Sequence, residues 1–155
     1  MNVLHDVVCD ALQSSDIPRN AEVEFRVPVE PHVVNTLRLL MFGKTADCVY
    51  KRSTFQYHDG TDVRCVDGVW QRKRNLMHMR LPGALRAYLV VSVESAALPP
   101  ALQFTTACRE RWTYTRGPWN VDFTCGTRNS NVELEYTGDI DALSSSYKSM
   151  QSLLN

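Results

Sequence analysis

The sequence predicts a mainly β domain, an antiparallel barrel or sandwich of about eight strands flanked by about three helices. Between residues 47 and 136 the helical spacing of apolar residues disappears, and one strand-like segment follows another. Turn signals separate these segments, namely HDGT, VDG, RLPG, LPP and RGP. Such a succession of short strands is typical of a closed or sandwiched antiparallel sheet.

Helical patterns flank this region on both sides. Apolar residues from Val3 to Leu12 recur at helical spacing, and SSDIPRN then interrupts the pattern. A strictly alternating strand, AEVEFRV, leads into a second helix that begins near Pro31 and is closed by Gly43. A third helix is predicted from Asp139, with an apolar stripe at Ile140, Leu143, Tyr147, Met150 and Leu154.

The seven strand segments that follow the second helix can be read directly from the sequence. They are CVYKRSTFQYH, TDVRCVD, GVWQRKRNLMHM, LRAYLVVSVES, ALQFTTACRERWTYTR, WNVDFTC and VELEY. Together with AEVEFRV they make eight strands. No internal repeat or linker interrupts them, so the 155 residues predict a single domain spanning 1–155.

Charge and cysteine content limit the function classes. Seventeen basic residues balance seventeen acidic ones, so recognition of a charged partner requires local segregation of charge. The five cysteines form no C-x-x-C pair, which argues against a zinc site or a disulfide framework. No apolar run reaches the roughly 18 residues of a membrane span. We therefore expect a soluble intracellular protein that makes no membrane contact.

Charged residues fall on one face of each strand when side chains are assigned by alternation. Six strands show this separation from an apolar opposite face, with Glu110 as an exception on the apolar face of its strand. The polar sets are Glu22, Glu24 and Arg26; Asp62 and Arg64; Ser92 and Glu94; Arg109 and Arg111; Asp122 and Thr124; Glu133 and Glu135.

Two architectures accommodate this pattern. In a sandwich the charged faces lie in water and need no function, which is the ordinary explanation of an isolated E-x-E. In a barrel with a polar interior, acids and bases compensate one another and the apolar outer wall is covered by helices or by a partner chain. Sorting of the charges favours the barrel, because two strands supply acidic pairs and another supplies two arginines in RER. Converging carboxylates beside guanidinium groups suit a polyphosphate with its divalent cation.

The motifs EVEFRV, VSVE, RERWTY, VDFT and VELEYTG, in this order, resemble the metal-dependent RNA 5′-triphosphatases of fungal, protozoan and viral mRNA capping. These enzymes are triphosphate tunnel metalloenzymes, and the resemblance extends from Glu22 to Tyr136. It implies an eight-stranded triphosphate-tunnel barrel. The implied reaction is hydrolysis of the γ-phosphate of triphosphate-ended RNA to a diphosphate end, with NTPase activity as an additional capacity.

The resemblance also implies a role for each site residue. Mn²⁺ or Mg²⁺ would be held by Glu22, Glu24, Glu133 and Glu135. Arg109 and Arg111 would contact the γ-phosphate, and Arg64 and Arg26 would contact the other phosphates. Glu94 would position or activate the attacking water. Asp122 and Thr124 would brace the tunnel. Arg26 departs from the E-x-E-x-K opening of relatives that hydrolyse small polyphosphates, and arginine is no proton donor in practice.

Several alternatives stay open at this stage. In the segment QRKRN, Arg72 and Arg74 can point into the tunnel, although a basic run more often lies on a solvated or RNA-facing surface. The substrate can instead be tripolyphosphate or thiamine triphosphate, or the domain can be a noncatalytic anion-binding barrel. The resemblance implies a separate RNA guanylyltransferase as partner and a nuclear or viral site of action. Outward-facing apolar residues leave a homodimer open.

Overall fold

The strands close into a barrel, and the predicted mainly β fold is confirmed. The structure is a computed structural model that describes residues 3–14, 16–58, 61–101, 103–139 and 142–143. Its elements in chain order are α1 (Val3–Ser14), β1 (Glu22–Pro28), α2 (Pro31–Phe42), β2 (Val49–Tyr57), β3 (Val63–Val66), β4 (Val69–Arg80), β5 (Tyr88–Ala96), β6 (Thr105–Arg116), β7 (Trp119–Gly126) and β8 (Ser130–Tyr136).

The strand order around the barrel is β1-β5-β4-β3-β2-β6-β7-β8, and every neighbouring pair is antiparallel. Tight turns set the register of the hairpins. Asp67 and Gly68 both have positive φ and join β3 to β4, as the two-residue turn that suits the twist of a hairpin requires. Closure leaves no free sheet edge in the barrel.

Apolar packing lies outside the barrel, beneath the two helices. Val8 and Leu12 of α1 belong to one core with Phe25, Leu89 and Trp119, which face outward from their strands. A second core joins α2 to β6 and β7 through Val34, Tyr114, Val121 and Phe123. The strands therefore give their apolar faces to the helices, and their polar faces are left to line the interior.

The helices agree with the sequence pattern where they are described. Pro31 begins α2, and the backbone N–H of Gly43 donates to the carbonyl oxygen of Leu39 at its end. No helix of the described part combines the length and the apolarity needed to cross a membrane. Of the third helix predicted from Asp139, only Asp139 and residues 142–143 are among the described residues, and Leu143 is buried in the first core.

Candidate active site in the barrel

A tunnel-like cavity of about 510 Å³ occupies the barrel, and every strand contributes to its wall. This volume falls within the range of roughly 300–1,000 Å³ that is usual for small-molecule sites. The structure brings together ten of the twelve residues that the sequence predicted for the site. They are Glu22, Glu24, Arg26, Arg64, Glu94, Arg109, Arg111, Thr124, Glu133 and Glu135.

The acidic wall is formed by β1 and β8. Glu24 lies opposite Glu135 in the strand register, and Arg26 lies opposite Glu133. Glu24 and Glu133 are both buried, and their carboxyl groups are hydrogen-bonded to each other. Burial and the neighbouring Glu133 raise the pKa of Glu24 to about 8. Burial and the charge of Glu22 also raise the pKa of Glu135.

Basic side chains of the protein neutralise this wall. Arg26 Nη2 lies 2.6 Å from Glu24 Oε1, and Lys73 Nζ lies 2.9 Å from Glu22 Oε2. Arg111 Nη2 lies 3.5 Å from Glu133 Oε1. Burial tends to raise the pKa of Glu133, but the hydrogen bond from Glu24 and these positive charges outweigh it and lower that pKa.

The donor chemistry of this wall fits a hard divalent cation. Carboxylate oxygens are the ligands that Mg²⁺ and Mn²⁺ prefer, and two buried carboxyls that share a hydrogen bond carry charge that a cation would relieve. In the arrangement of the described residues, no three His, Cys, Asp or Glu side chains form a cluster able to hold a metal ion. The glutamates are instead paired with Arg26, Lys73 and Arg111, as the distances above show.

The basic wall is centred on Arg109. Its guanidinium carbon lies 4.3 Å from the centroid of the Phe55 ring, and its Nε is buried with no hydrogen-bond partner. Burial and the charges of Arg111 and Arg64 lower the pKa of Arg109 to about 10. Within the part of the chain that the structure describes, Arg109 forms no ion pair with a carboxylate. Arg109 is therefore a tunnel cation that no carboxylate of the described residues neutralises by direct contact.

Arg111 is held by the strand next to it. Its Nε donates to Thr124 Oγ1 at 3.0 Å, and its Nη1 lies 3.8 Å from Asp122 Oδ2. The hydroxyl of Thr113 donates to Asp122. Burial raises the pKa of Asp122, while Arg111 acts in the opposite direction. Asp122 and Thr124 thus hold Arg111 in place, and their role in bracing the tunnel stays a prediction.

Glu94, on β5, lies beside two bases that come from β3 and β4. Arg64 Nη2 donates to Glu94 Oε1 at 2.8 Å, and Lys73 Nζ lies 3.8 Å from the same oxygen. About a third of the Glu94 side chain is exposed to solvent. Its carboxylate is therefore held in place at the cavity wall and is accessible to water.

The prediction that Arg72 lines the tunnel is wrong. Arg72 is exposed on the outer face of β4, where its Nε lies 3.2 Å from Asp62 Oδ1. Residues of the opposite parity, Gln71, Lys73 and Asn75, face the cavity instead. Lys73 was therefore missed, although strand alternation within QRKRN offered it as the other choice. Arg74 shares the parity of Arg72 and is exposed, as the surface interpretation of this run requires.

Two aromatic residues of the tunnel were also missed by sequence reasoning. Phe55 and Tyr57 are two positions apart on β2 and both line the cavity. The guanidinium carbon of Arg128 lies 4.1 Å from the centroid of the Tyr57 ring. The alternating segment STFQY placed both rings on one face, but nothing in the segment itself indicated that this face points inward.

Solved structures of RNA triphosphatases share this architecture. The S. pombe Pct1 RNA triphosphatase is similar with a TM-score of 0.62 and 14% identity, over 97% of this chain and 82% of that one. Pct1 in complex with the Spt5 CTD gives a TM-score of 0.59 at the same identity and coverage. The RNA triphosphatase domain of a trifunctional mimivirus mRNA capping enzyme gives 0.60 and 10% identity, over 97% of this chain and 96% of that one.

No protein-family model and no curated protein matches the chain. At identities of 10–14% the likeness to solved structures concerns the fold. It agrees with the closed barrel described above. The resemblance drawn from the sequence motifs is thus confirmed at the level of structure, and the chain has the triphosphate tunnel fold of these RNA triphosphatases.

Proposed function

We propose that the protein is a divalent-metal-dependent RNA 5′-triphosphatase that acts in cap formation. Its substrate is the triphosphate end of an RNA, and its products are inorganic phosphate and a diphosphate end. The observation that carries the proposal is Arg109, a half-buried arginine whose buried Nε has no hydrogen-bond partner and which has no carboxylate partner among the described residues. It lines a cavity with an acidic wall. A phosphate group would supply the missing counterion.

The basic residues would bind the phosphates. Arg109 and Arg111 would contact the γ-phosphate and would stabilise the charge that moves as its bond to the bridging oxygen breaks. Thr124 and Asp122 already orient Arg111, so little reorganisation would accompany the reaction. Arg64 and Arg26 line the same cavity and would contact the other phosphates. Positioning and charge neutralisation supply most of the catalysis in phosphoryl transfer of this kind.

Glu94 is our candidate for the group that orients the attacking water. Its carboxylate reaches the cavity and is fixed by Arg64 and Lys73. Water attacks the γ-phosphorus in line, the bond to the β,γ-bridging oxygen breaks, and the water proton passes to the carboxylate or to solvent.

The metal would be held by the glutamates of β1 and β8. Glu24 and Glu133 are the central pair, and Glu22 and Glu135 flank it on the same wall. When bound, Mn²⁺ or Mg²⁺ would supply a Lewis acid that polarises the γ-phosphoryl group. Arg26 and Lys73, which now neutralise these carboxylates, would then be free to turn toward phosphate.

Two other functions are compatible with the fold. A hydrolase of the same barrel could act on free tripolyphosphate, on nucleoside triphosphates or on thiamine triphosphate. A noncatalytic module could bind anions without turnover. We favour RNA because solved structures that share this fold with TM-scores of about 0.6 include RNA triphosphatases, one of them within an mRNA capping enzyme. An RNA guanylyltransferase on another chain would then use the diphosphate end, in the nucleus or at a site of viral transcription.

The experiment is phosphate release from a γ-labelled, triphosphate-ended RNA with and without Mn²⁺ or Mg²⁺. Wild type and Glu133→Ala are compared, and ATP and tripolyphosphate are run in parallel. Metal-dependent release from RNA that the substitution abolishes is the expected result. A strong preference for tripolyphosphate would indicate that the enzyme hydrolyses small polyphosphates and not RNA. If the folded protein releases phosphate from none of the substrates, the noncatalytic anion-binding module is the remaining function.

A further inference from the structure

The mouth of the tunnel near the β7–β8 turn carries an aromatic and cationic platform that the phosphate chemistry does not use. Tyr57, at the end of β2, lines the cavity together with Arg128 and Asn129 of that turn. The guanidinium carbon of Arg128 lies 4.1 Å from the Tyr57 ring centroid. We propose that Tyr57 and Arg128 form the binding site for the first nucleoside of the substrate, so that the tunnel distinguishes nucleoside-bearing triphosphates from bare polyphosphate. This inference rests on the proposed function of the tunnel.

The position of the platform fits a base that follows a triphosphate. Along β6 the tunnel residues run from Arg111 through Arg109 and Ala107, and Tyr57 pairs with Thr105. Thr105 is four residues from Arg109, a strand distance of ~13 Å at 3.3 Å per residue. The ring therefore lies beyond Arg109 and Arg111 and level with Arg64, its partner in the strand register. A γ-phosphate at Arg109 and Arg111 would leave the ribose and base on this side.

The tunnel wall changes character along this direction. Near the glutamates it is charged, whereas between Arg109 and the mouth it includes Phe55, Val66 and Ala107. A bare polyphosphate gains no binding energy from apolar and aromatic surface. A nucleoside does, because bases stack on aromatic rings and on guanidinium planes.

The β7–β8 turn is built to keep Arg128 at the mouth. A side chain at Gly126 would place its Cβ 2.8 Å from the carbonyl oxygen of Asn129, so only glycine permits this close approach. Thr127 ties the turn to β6, since its Oγ1 accepts from the backbone N–H of Cys108 at 3.2 Å. Arg128 and Asn129 are exposed to solvent, which leaves an exit for the remainder of a bound RNA chain.

The test compares triphosphate ligands that carry a nucleoside with one that carries none. KM and kcat are measured for triphosphate-ended RNA, ATP and tripolyphosphate with wild type, Tyr57→Leu and Arg128→Lys. Arg128→Lys keeps the charge but removes the stacking plane. Tyr50→Leu, a change at an exposed tyrosine at the other end of β2, is the matched control. Loss of one stacking contact is expected to raise KM for RNA and ATP about tenfold and to leave KM for tripolyphosphate and every kcat unchanged.

Binding measurements separate this inference from the proposed function. Titration calorimetry with β,γ-imido ATP and with imidotriphosphate requires no turnover. A selective loss of affinity for the imido nucleotide in Tyr57→Leu and Arg128→Lys supports the platform even if no substrate is hydrolysed. Equal losses of affinity for both ligands, or no loss of affinity for either, would overturn the proposal that Tyr57 and Arg128 bind the nucleoside. Hydrolysis of RNA by the wild type would then still support the proposed triphosphatase activity.

Discussion

The Phe55 ring lies beneath two guanidinium groups of the tunnel, 4.3 Å from Arg109 and 5.8 Å from Arg64, measured from ring centroid to guanidinium carbon. Both arginines have a buried Nε without a hydrogen-bond partner. A cation over an aromatic face is attracted by the ring quadrupole, more strongly where water is excluded. Phe55 therefore supports two like charges that would otherwise repel each other in a confined space.

Replacing Phe55 by leucine tests this support. We expect kcat/KM for the triphosphate substrate to fall about tenfold, in line with the roughly 0.5–2 kcal/mol of a cation–π contact. Phe55→Tyr keeps the ring face and should restore most of the rate. Steady-state kinetics beside a melting curve make the measurement, and a leucine variant that loses stability but not rate would assign Phe55 to packing alone.

Thr124 should act on the reaction through Arg111. Thr124→Val keeps the shape of the side chain but removes the acceptor 3.0 Å from Arg111 Nε. Loss of a hydrogen bond to a charged group costs about 1.5–3 kcal/mol, which predicts a roughly 10- to 100-fold fall in kcat. The double variant with Arg111→Lys should be scarcely slower than Arg111→Lys alone, and additive effects would contradict the coupling.

The glutamates of the tunnel should matter for turnover and not for folding. Glu24 is buried against Glu133, and its raised pKa shows that the site disfavours a second negative charge. We expect Glu24→Gln to abolish phosphate release and to leave the melting temperature equal or higher. Glu110→Gln, on the outward-facing parity of β6, is the control and should keep full activity. An active Glu24→Gln enzyme would remove Glu24 from the metal site.

Divalent metal should stabilise the folded protein. A ligand that binds only the native state at 100 times its Kd adds about 2.7 kcal/mol, so Mn²⁺ should raise the melting temperature by several degrees. Excess chelator should reverse the shift, and Glu133→Gln should abolish it. The same melting temperature for wild type with and without Mn²⁺ or Mg²⁺ would favour the noncatalytic module.

Neighbouring basic residues on β4 should behave differently. Lys73 bridges Glu22 and Glu94 inside the tunnel, at 2.9 and 3.8 Å. Arg72 faces the opposite way and pairs with Asp62. We expect Lys73→Ala to lower kcat/KM at least tenfold, whereas Arg72→Ala changes it less than twofold. The measurement is hydrolysis of tripolyphosphate. This substrate contains no RNA, so a contact between RNA and the outer surface of the barrel cannot contribute to the result. Equal effects of the two changes would refute the assignment of strand faces.

Alternation along single strands made much of this site predictable. The E-x-E pairs of β1 and β8 predict their own tunnel face, because their carboxylates share one parity and the apolar residues share the other. The two arginines of RER on β6 do the same, although Glu110 between them has the outward parity. On β4 both parities carry a base, so the pattern could not decide between Arg72 and Lys73. Only the pairing of Lys73 opposite Glu94 decides it.

The mouth of the tunnel was less predictable for a different reason. Tyr57 and Arg128 are 71 positions apart in the sequence and meet only because β2 pairs with β6 and β6 with β7. The local sequence pattern carries no information about such a long-range contact. The ion pairs that neutralise the glutamates have the same origin, since Lys73 and Glu22 come from strands separated in the barrel by β5.

The division of each strand into a tunnel face and a packing face also sets which mutations the chain can survive. Inserting or deleting one residue within a strand would turn every later side chain of that strand to the other face, carrying glutamates under the helices and valines into the phosphate site. Substitutions that respect the alternation disturb one face at a time. Over long divergence such a barrel can exchange nearly all of its residues while its strands keep their length.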